Sequence, residues 1–78
     1  MTGRNIVLQS INAPDGARCV DIFRRPDGRY GFEEYRRDPE DARGWFAIGG
    51  FGDRSFDDAD AALRAARSRV AWLADAGA

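Results

Sequence analysis

The residues of this chain with the most obvious chemical potential are one cysteine, Cys19, and its carboxylates. The chain has no histidine and no lysine. The commonest general base, the Ser-His-Asp and Cys-His arrangements, most zinc sites and Schiff-base chemistry are therefore excluded. Cys19 has no histidine and no helix N-terminus nearby in sequence to lower its pKa, and Glu33 and Glu34 lie on opposite sides of a predicted strand. We expect a structural thiol, no enzyme activity, no metal and no cofactor.

A glycine-rich segment, Gly-Gly-Phe-Gly at residues 49–52, connects a predicted strand to a predicted helix. Bare backbone amides in such a place can approach a phosphate group. However, the segment lacks the third glycine of the GxGxxG pattern, and acidic residues between positions 53 and 60 would repel an anion. We therefore predict a flexible connection rather than a nucleotide site, and helix capping rather than a calcium loop for the acidic residues.

Length and composition limit the chain to one small domain, which we expect to span residues 1–78 with disorder at residues 1–4 and 76–78. Twelve arginines and thirteen acidic residues give a net charge of −1, so the broad positive field of many nucleic-acid and membrane binders is missing. Cys19 is the single cysteine, and no apolar run is long enough for a signal peptide or a membrane span. These features favour a cytoplasmic location.

Two Pro-Asp-Gly tripeptides, at residues 14–16 and 26–28, predict two hairpin turns between strand-like segments. Strands are expected near residues 5–12, 18–25 and 29–37, with a last strand over 45–49. Symmetric pairing across the turns predicts these facing residues: Ile22 with Phe32, Phe23 with Gly31, Leu8 with Ile22, Val7 with Phe23, and Ile11 with Cys19. The pattern leaves open whether residues 5–12 form a strand and which of Trp45 and Phe46 faces the helix.

From Asp57 onward the apolar residues recur at helical spacing, namely Ala59, Ala62, Leu63, Ala66, Val70 and Leu73. Asp57 is the first candidate for the N-cap, Ser55 with Asp58 is the second, and Gly77 is the predicted stop. The fold class that follows is α+β. It has a three- or four-stranded antiparallel meander sheet with one C-terminal amphipathic helix packed on one face.

One helix covers one side of a sheet, yet alternation places apolar residues on both sides. We expect Leu8, Val20, Ile22 and Phe32 under the helix, and Val7, Ile11, Cys19, Phe23 and Tyr35 on the other side. The leading hypothesis is a non-catalytic interaction module, a homodimer or a binder of another protein, that uses the helix-free face. Its partner-binding candidates are Phe23, Tyr35, Val7 and Trp72. For Trp72 the alternative is packing over the edge of its own sheet.

A second hypothesis is nucleic-acid binding by the second hairpin, where arginines cluster and tyrosines offer stacking surfaces. The candidate residues are Arg24, Arg25, Arg29, Tyr30, Arg36 and Arg37. Five acidic residues in the same stretch oppose this hypothesis, namely Asp21, Asp27, Glu33, Glu34 and Asp38.

The order of strands, aromatic-glycine connection and capped alanine-rich helix is similar to that of the small HicB-type antitoxin domains and of other short bacterial βββα modules. The resemblance implies a fold and no functional residue.

Overall fold

The computed structural model describes residues 4–38, 40, 44–51 and 54–76. The described elements are β1 (Ile6–Asn12), β2 (Arg18–Arg24), β3 (Tyr30–Arg37), β4 (Trp45–Ala47), α1 (Ala59–Arg69) and α2 (Ala71–Ala76). The strands form one antiparallel sheet in the order β1-β2-β3-β4, against which the helices pack. The predicted α+β class is confirmed, with the fourth strand present. None of the described helices has the length and apolar character to cross a membrane.

The second Pro-Asp-Gly turn forms as predicted. The N–H of Arg25 donates to the carbonyl of Arg29 at 2.7 Å, and the N–H of Gly28 donates to the carbonyl of Arg25 at 2.9 Å. Gly28 has a φ of 87°, in the left-handed region that favours glycine. The pairs predicted from this turn are confirmed, namely Ile22 with Phe32 and Phe23 with Gly31.

The first turn is one residue longer than the second. The N–H of Ala13 donates to the carbonyl of Arg18 at 2.8 Å, so the loop has one more residue than predicted. Ile11 therefore faces Val20, and the predicted pairing of Ile11 with Cys19 is wrong. Because a shift of one residue turns a strand over, Ile11 packs against the core on the helix side rather than on the helix-free side.

A β-bulge at Leu8 corrects a second prediction. The register shifts between Val7 and Gln9, so that Gln9 rather than Leu8 faces Ile22. The extra residue of a bulge is left out of the ladder and bends the strand. Leu8 is accordingly 49% exposed, although the sequence places it under the helix. The bulge also offsets the longer turn, so Val7 faces Phe23 as predicted.

The core lies between the helices and the two central strands, β2 and β3. Its buried members are Val20, Ile22, Phe32, Ala62, Ala66, Val70 and Leu73. The four buried residues of the C-terminal segment, Ala62, Ala66, Val70 and Leu73, all belong to the predicted stripe, and Ala59 and Leu63 are half-buried beside them. The ring of Phe51 packs on that of Phe32, with centroids 4.7 Å apart. The predicted helical face is confirmed.

The helical segment differs from the prediction at its start and in its continuity. The N-cap of α1 is Asp58, whose carboxylate accepts a first-turn N–H at 2.7 Å, rather than Asp57 or Ser55. Val70 has φ −107° and ψ 105°, an extended conformation that β-branched residues adopt readily. Its carbonyl accepts the N–H of Leu73 at 3.0 Å and so begins α2. Two helices therefore replace the single one predicted, and the predicted stop at residue 77 lies outside the described residues.

The last strand is shorter than predicted, and the structure shows which side of the sheet each of its side chains faces. β4 pairs with β3 so that Phe46 faces Arg36 and Trp45 faces Arg37. Successive residues of a strand point to opposite sides, and Arg36 shares its side with the core residue Phe32. Phe46 is therefore on the helix side, at 43% exposure, and Trp45 is on the helix-free side.

Candidate functional site

The side of the sheet opposite the helices, here called the helix-free side, has two halves with different properties. In β2 it carries Cys19, Asp21 and Phe23. In β3 the facing residues are Tyr35, Glu33 and Gly31. The half near the second turn is closed by the chain itself, whereas the half near the first turn is open.

Arg25 closes the half near the second turn. Its guanidinium carbon lies 5.0 Å from the centre of the Phe23 ring, and its Nη2 donates to the carbonyl of Arg54 at 2.7 Å. Phe23 is therefore only 5% exposed. A Cβ built on Gly31 would lie 2.8 Å from Nη2 of Arg25 and 2.9 Å from the Phe23 ring, so the glycine makes room for both. Phe23, expected at the centre of a binding face, offers almost no accessible surface in this structure.

Glu33 fixes the connection between β4 and α1 to the edge of the sheet. Its side chain is buried at 7% exposure. Oε1 accepts the N–H groups of Glu34 at 3.1 Å and Gly49 at 3.2 Å, and Oε2 accepts the N–H of Phe51 at 3.1 Å. The amides that a phosphate would need at residues 49 and 51 are thus taken by the protein's own carboxylate. Residues 52 and 53 lie outside the described residues.

The open half contains a depression of about 270 Å³ that crosses the whole sheet. All four strands contribute to its lining. The lining residues are Ser10 and Asn12 from β1, Cys19 and Asp21 from β2, Tyr35 from β3, and Trp45 from β4. We call this feature the Asp21 depression.

Asp21 supplies the negative charge of the depression. Its Oδ1 accepts the hydroxyl of Ser10 at 2.6 Å and lies 3.9 Å from the thiol sulfur of Cys19. The described residues provide no hydrogen bond to Oδ2. The ion pairs formed among the described residues are Arg18 with Asp15 and Arg29 with Asp57, and Asp21 belongs to neither. A carboxylate with a free oxygen therefore lies in a partly sheltered position.

Two ionisable neighbours of Asp21 are held in their neutral forms. Burial raises the pKa of the Cys19 thiol, and the charge and hydrogen bond of Asp21 raise it further. Burial likewise raises the pKa of Tyr35, followed by the charges of Asp21 and Glu33. At neutral pH the depression therefore presents a thiol and a phenol rather than a thiolate and a phenolate. This arrangement opposes nucleophilic catalysis, because the thiolate is the reactive form of cysteine.

Trp45 forms the wall of the depression on the β4 side and is 42% exposed. The guanidinium carbon of Arg37 lies 5.1 Å from the centre of its ring, within cation–π distance. Arg37 also donates from Nη2 to the carbonyl of Gly16, at 3.4 Å. One face of the indole is thus already used by a guanidinium of the same chain.

The four partner-binding candidates do not form one surface. Tyr35 lines the depression, Val7 is 53% exposed on the outermost strand, and Phe23 is covered. Trp72 is on the helix side, where its Nε1 donates to Oε2 of Glu34 at 2.9 Å. The position of Trp72 agrees with the alternative in which it packs over its own sheet.

The nucleic-acid candidates lie in two separate groups. Arg24, Arg25, Arg29 and Tyr30 are at the turn between β2 and β3, whereas Arg36 and Arg37 are at the far end of β3. Tyr30 and Arg36 are six residue steps apart along the strand, a distance of about 20 Å. Arg29 pairs with Asp57 at 3.6 Å, and Tyr30 packs against the core rather than presenting a free ring.

Five lining residues were not among the candidates: Ser10, Asn12, Cys19, Asp21 and Trp45. Because alternate residues of a strand point to the same side, the sequence already places Asp21 on the same side of β2 as Cys19. Asp21 could therefore have been identified from the sequence. Ser10 and Asn12 could not be placed, because they lie between the bulge and the first turn, and the longer turn alone reverses their side of β1.

The outer edge of the sheet at β1 carries a second exposed feature. Ile6, Val7 and Leu8 are 51%, 53% and 49% exposed, and the strand sequence Ile-Val-Leu-Gln-Ser-Ile-Asn contains no charge. Among the described residues, no three cysteine, aspartate or glutamate side chains come together as a metal site would require. No family model, curated protein or solved structure matches this chain.

Proposed function

We propose that this chain is a non-catalytic interaction module that forms a homodimer along the outer edge of β1. The observation that carries the proposal is the group of three adjacent, half-exposed apolar residues, Ile6, Val7 and Leu8, on an edge strand. Soluble proteins usually protect such edges with charged side chains, proline or very short strands. β1 is seven residues long and has neither charge nor proline.

The bulge at Leu8 affects how the two copies meet. A bulge is itself a protection against long ladders between sheets. We therefore expect the side chains of residues 6–8, rather than an extended ladder, to carry most of the contact. A contact of this size is smaller than a standard interface, so the dissociation constant should be on the order of 10–100 μM.

The edge suits a two-fold dimer better than the helix-free side does. In a two-fold contact the same patch lies on both partners. Pairing two helix-free sides would bring the Asp21 carboxylates of two copies towards each other, whereas β1 contains no charge to oppose its own copy. Arg25 also removes Phe23 from the apolar surface of that side.

Sedimentation equilibrium from about 10 μM to about 500 μM tests the proposal. The wild-type chain should show a reversible monomer–dimer equilibrium, and Val7→Lys should be monomeric throughout. Leu8→Lys is a second variant of the same kind, in case one of them fails to fold. Ser68→Lys, which adds the same charge at an exposed position of α1, should dimerise like the wild type.

A wild-type chain that is monomeric at every concentration would refute the homodimer. Equal dimerisation by Val7→Lys, Leu8→Lys and Ser68→Lys would place the contact elsewhere. Circular dichroism of each variant shows whether its fold is retained, so that a loss of dimer is not confused with unfolding.

The nucleic-acid hypothesis has less support, because its arginines do not share one surface. Its test is an electrophoretic shift with single-stranded and duplex DNA at low salt, where electrostatic binding is strongest. We expect no shift at micromolar protein. A shift that is lost in Arg24→Gln or Arg36→Gln would favour this hypothesis over the homodimer.

A further inference from the structure

We infer that the Asp21 depression is a binding site for the arginine side chain of a partner protein. The inference does not depend on the homodimer, because residues 6–8 carry the proposed contact between copies, whereas β1 contributes only Ser10 and Asn12 to the depression. It rests on the size of the depression, the free oxygen of its carboxylate and the aromatic residues in its lining.

The size of the depression suits a single long side chain. Pockets for drug-sized ligands and cofactors usually measure about 300–1,000 Å³. The depression measures about 270 Å³ and opens to solvent along the sheet. A single long side chain, entering from a partner that lies over the helix-free side, is the occupant of matching dimensions.

Charge selects a cation. The described residues give Oδ2 of Asp21 no donor, and Asp21 is in none of the ion pairs of the described residues. The hydroxyl of Ser10 and the amide of Asn12 add acceptor atoms at the same rim. A phosphate or carboxylate would meet the charge of Asp21, and the lining residues include no cation. The nearby guanidinium of Arg37 is already stacked on Trp45 and donates to the carbonyl of Gly16, so anions are disfavoured.

The aromatic residues favour a guanidinium over an ammonium group. Guanidinium is planar and more weakly hydrated, and it stacks on aromatic rings while donating hydrogen bonds to a carboxylate. Tyr35 and Trp45 supply rings in the lining. Trp45 already accepts the guanidinium of Arg37 at 5.1 Å. An incoming guanidinium would therefore contact Asp21 and the ring of Tyr35, with Trp45 as the neighbouring wall.

The experiment is a titration of the isotope-labelled chain with N-acetyl-arginine amide, followed by NMR chemical shifts. The dissociation constant should be on the order of 1 mM, as for a ligand of this size. The shifts should centre on residues of the depression, including the indole N–H of Trp45. N-acetyl-citrulline amide has nearly the same shape without the charge and should bind at least about fivefold more weakly.

Variants connect the binding to the site. Asp21→Asn should weaken the binding of N-acetyl-arginine amide at least about fivefold, because the substitution removes the charge and retains one acceptor oxygen. Tyr35→Leu should weaken it by a smaller factor. Asp60→Asn removes the same charge at an exposed position of α1 and should bind like the wild type. Raising the salt concentration should weaken binding to the wild type.

Equal binding of the arginine and citrulline compounds would overturn the inference, as would an unchanged affinity in Asp21→Asn or shifts centred on another surface. If N-acetyl-lysine amide bound more strongly than N-acetyl-arginine amide, the proposal of an arginine would be wrong and the partner residue would be a lysine. Repeating the titration on the Val7→Lys variant separates this result from the dimer, since that variant alters β1 and leaves the lining residues in place.

Discussion

A single half-buried carboxylate, Asp21, determines much of the chemistry on the helix-free side. It accepts the hydroxyl of Ser10, lies beside the thiol of Cys19 and acts through its charge on Tyr35. It thereby helps to keep two potential nucleophiles protonated while it remains a hydrogen-bond acceptor itself. The same residue therefore contributes to the raised pKa values of Cys19 and Tyr35 and is the basis of the cation site proposed above.

Replacing Asp21 should change the titration of Cys19. Burial is the larger cause of the raised pKa of this thiol, and Asp21 is the second. Asp21→Asn should therefore lower the pKa part of the way towards the ordinary value, because burial persists. Thiolate absorbance measured against pH would show the change, and Asp60→Asn is the matched control. An identical thiol pKa in all three proteins would contradict this assignment.

The same shift makes the stability of the fold depend on pH. Because the pKa of Cys19 is raised in the folded state, the folded chain holds this proton more tightly than the unfolded chain. The associated stability is present below the ordinary thiol pKa of 9.0 and is lost as the pH rises through the folded-state pKa. Asp21→Asn should reduce the stability that is lost at alkaline pH.

At the scale of the elements, the pairing of β2 with β3 was predictable from the residues of the turn that joins them. The Pro-Asp-Gly turn at residues 26–28 sets the register, and with it the facing of Phe23 and Gly31. The register of β1 was not predictable, because a longer turn and a bulge act in opposite directions over a few residues. The interruption at Val70 was also missed, since its side chain continues the buried stripe while its backbone leaves the helix.

The start of α1 gives a direct test of helix capping. Asp58 caps the first turn with a hydrogen bond of 2.7 Å, whereas the side chain of Asp57 is 93% exposed and only pairs with Arg29 at 3.6 Å. Asp58→Ala should lower the free energy of unfolding by about 1 kcal/mol. Asp57→Ala should change it by less than about 0.5 kcal/mol, as is usual for an exposed ion pair.

Urea denaturation of the two alanine variants makes this comparison. Both remove one carboxylate from the same helix terminus, so their general electrostatic effects are similar. A larger loss in Asp57→Ala than in Asp58→Ala would mean that the cap is at the residue that the sequence first indicated.

At the scale of the whole molecule, the distribution of accessible apolar surface was only partly predictable. Helical periodicity correctly identified the helix-covered core, and Tyr35 was correctly expected on the helix-free side. That Arg25 covers Phe23 was not predictable, because this contact depends on the carbonyl of Arg54, 29 positions along the chain. Among the described residues, the exposed large apolar side chains therefore lie at the two edges of the sheet rather than at its centre: Ile6, Val7 and Leu8 at β1, and Trp45, Phe46 and Ile48 at or just after β4.

The most direct test of the homodimer asks whether the β1 edges of two copies touch. Mixing equal amounts of isotope-labelled and unlabelled chain, at a concentration where the dimer is populated, allows an NMR experiment that detects only contacts between copies. We predict that these contacts join the side chains of Ile6, Val7 and Leu8 of one copy to the same residues of the other. Contacts that instead join Tyr35 and Trp45, or the absence of any contact between copies, would contradict the proposed association along β1.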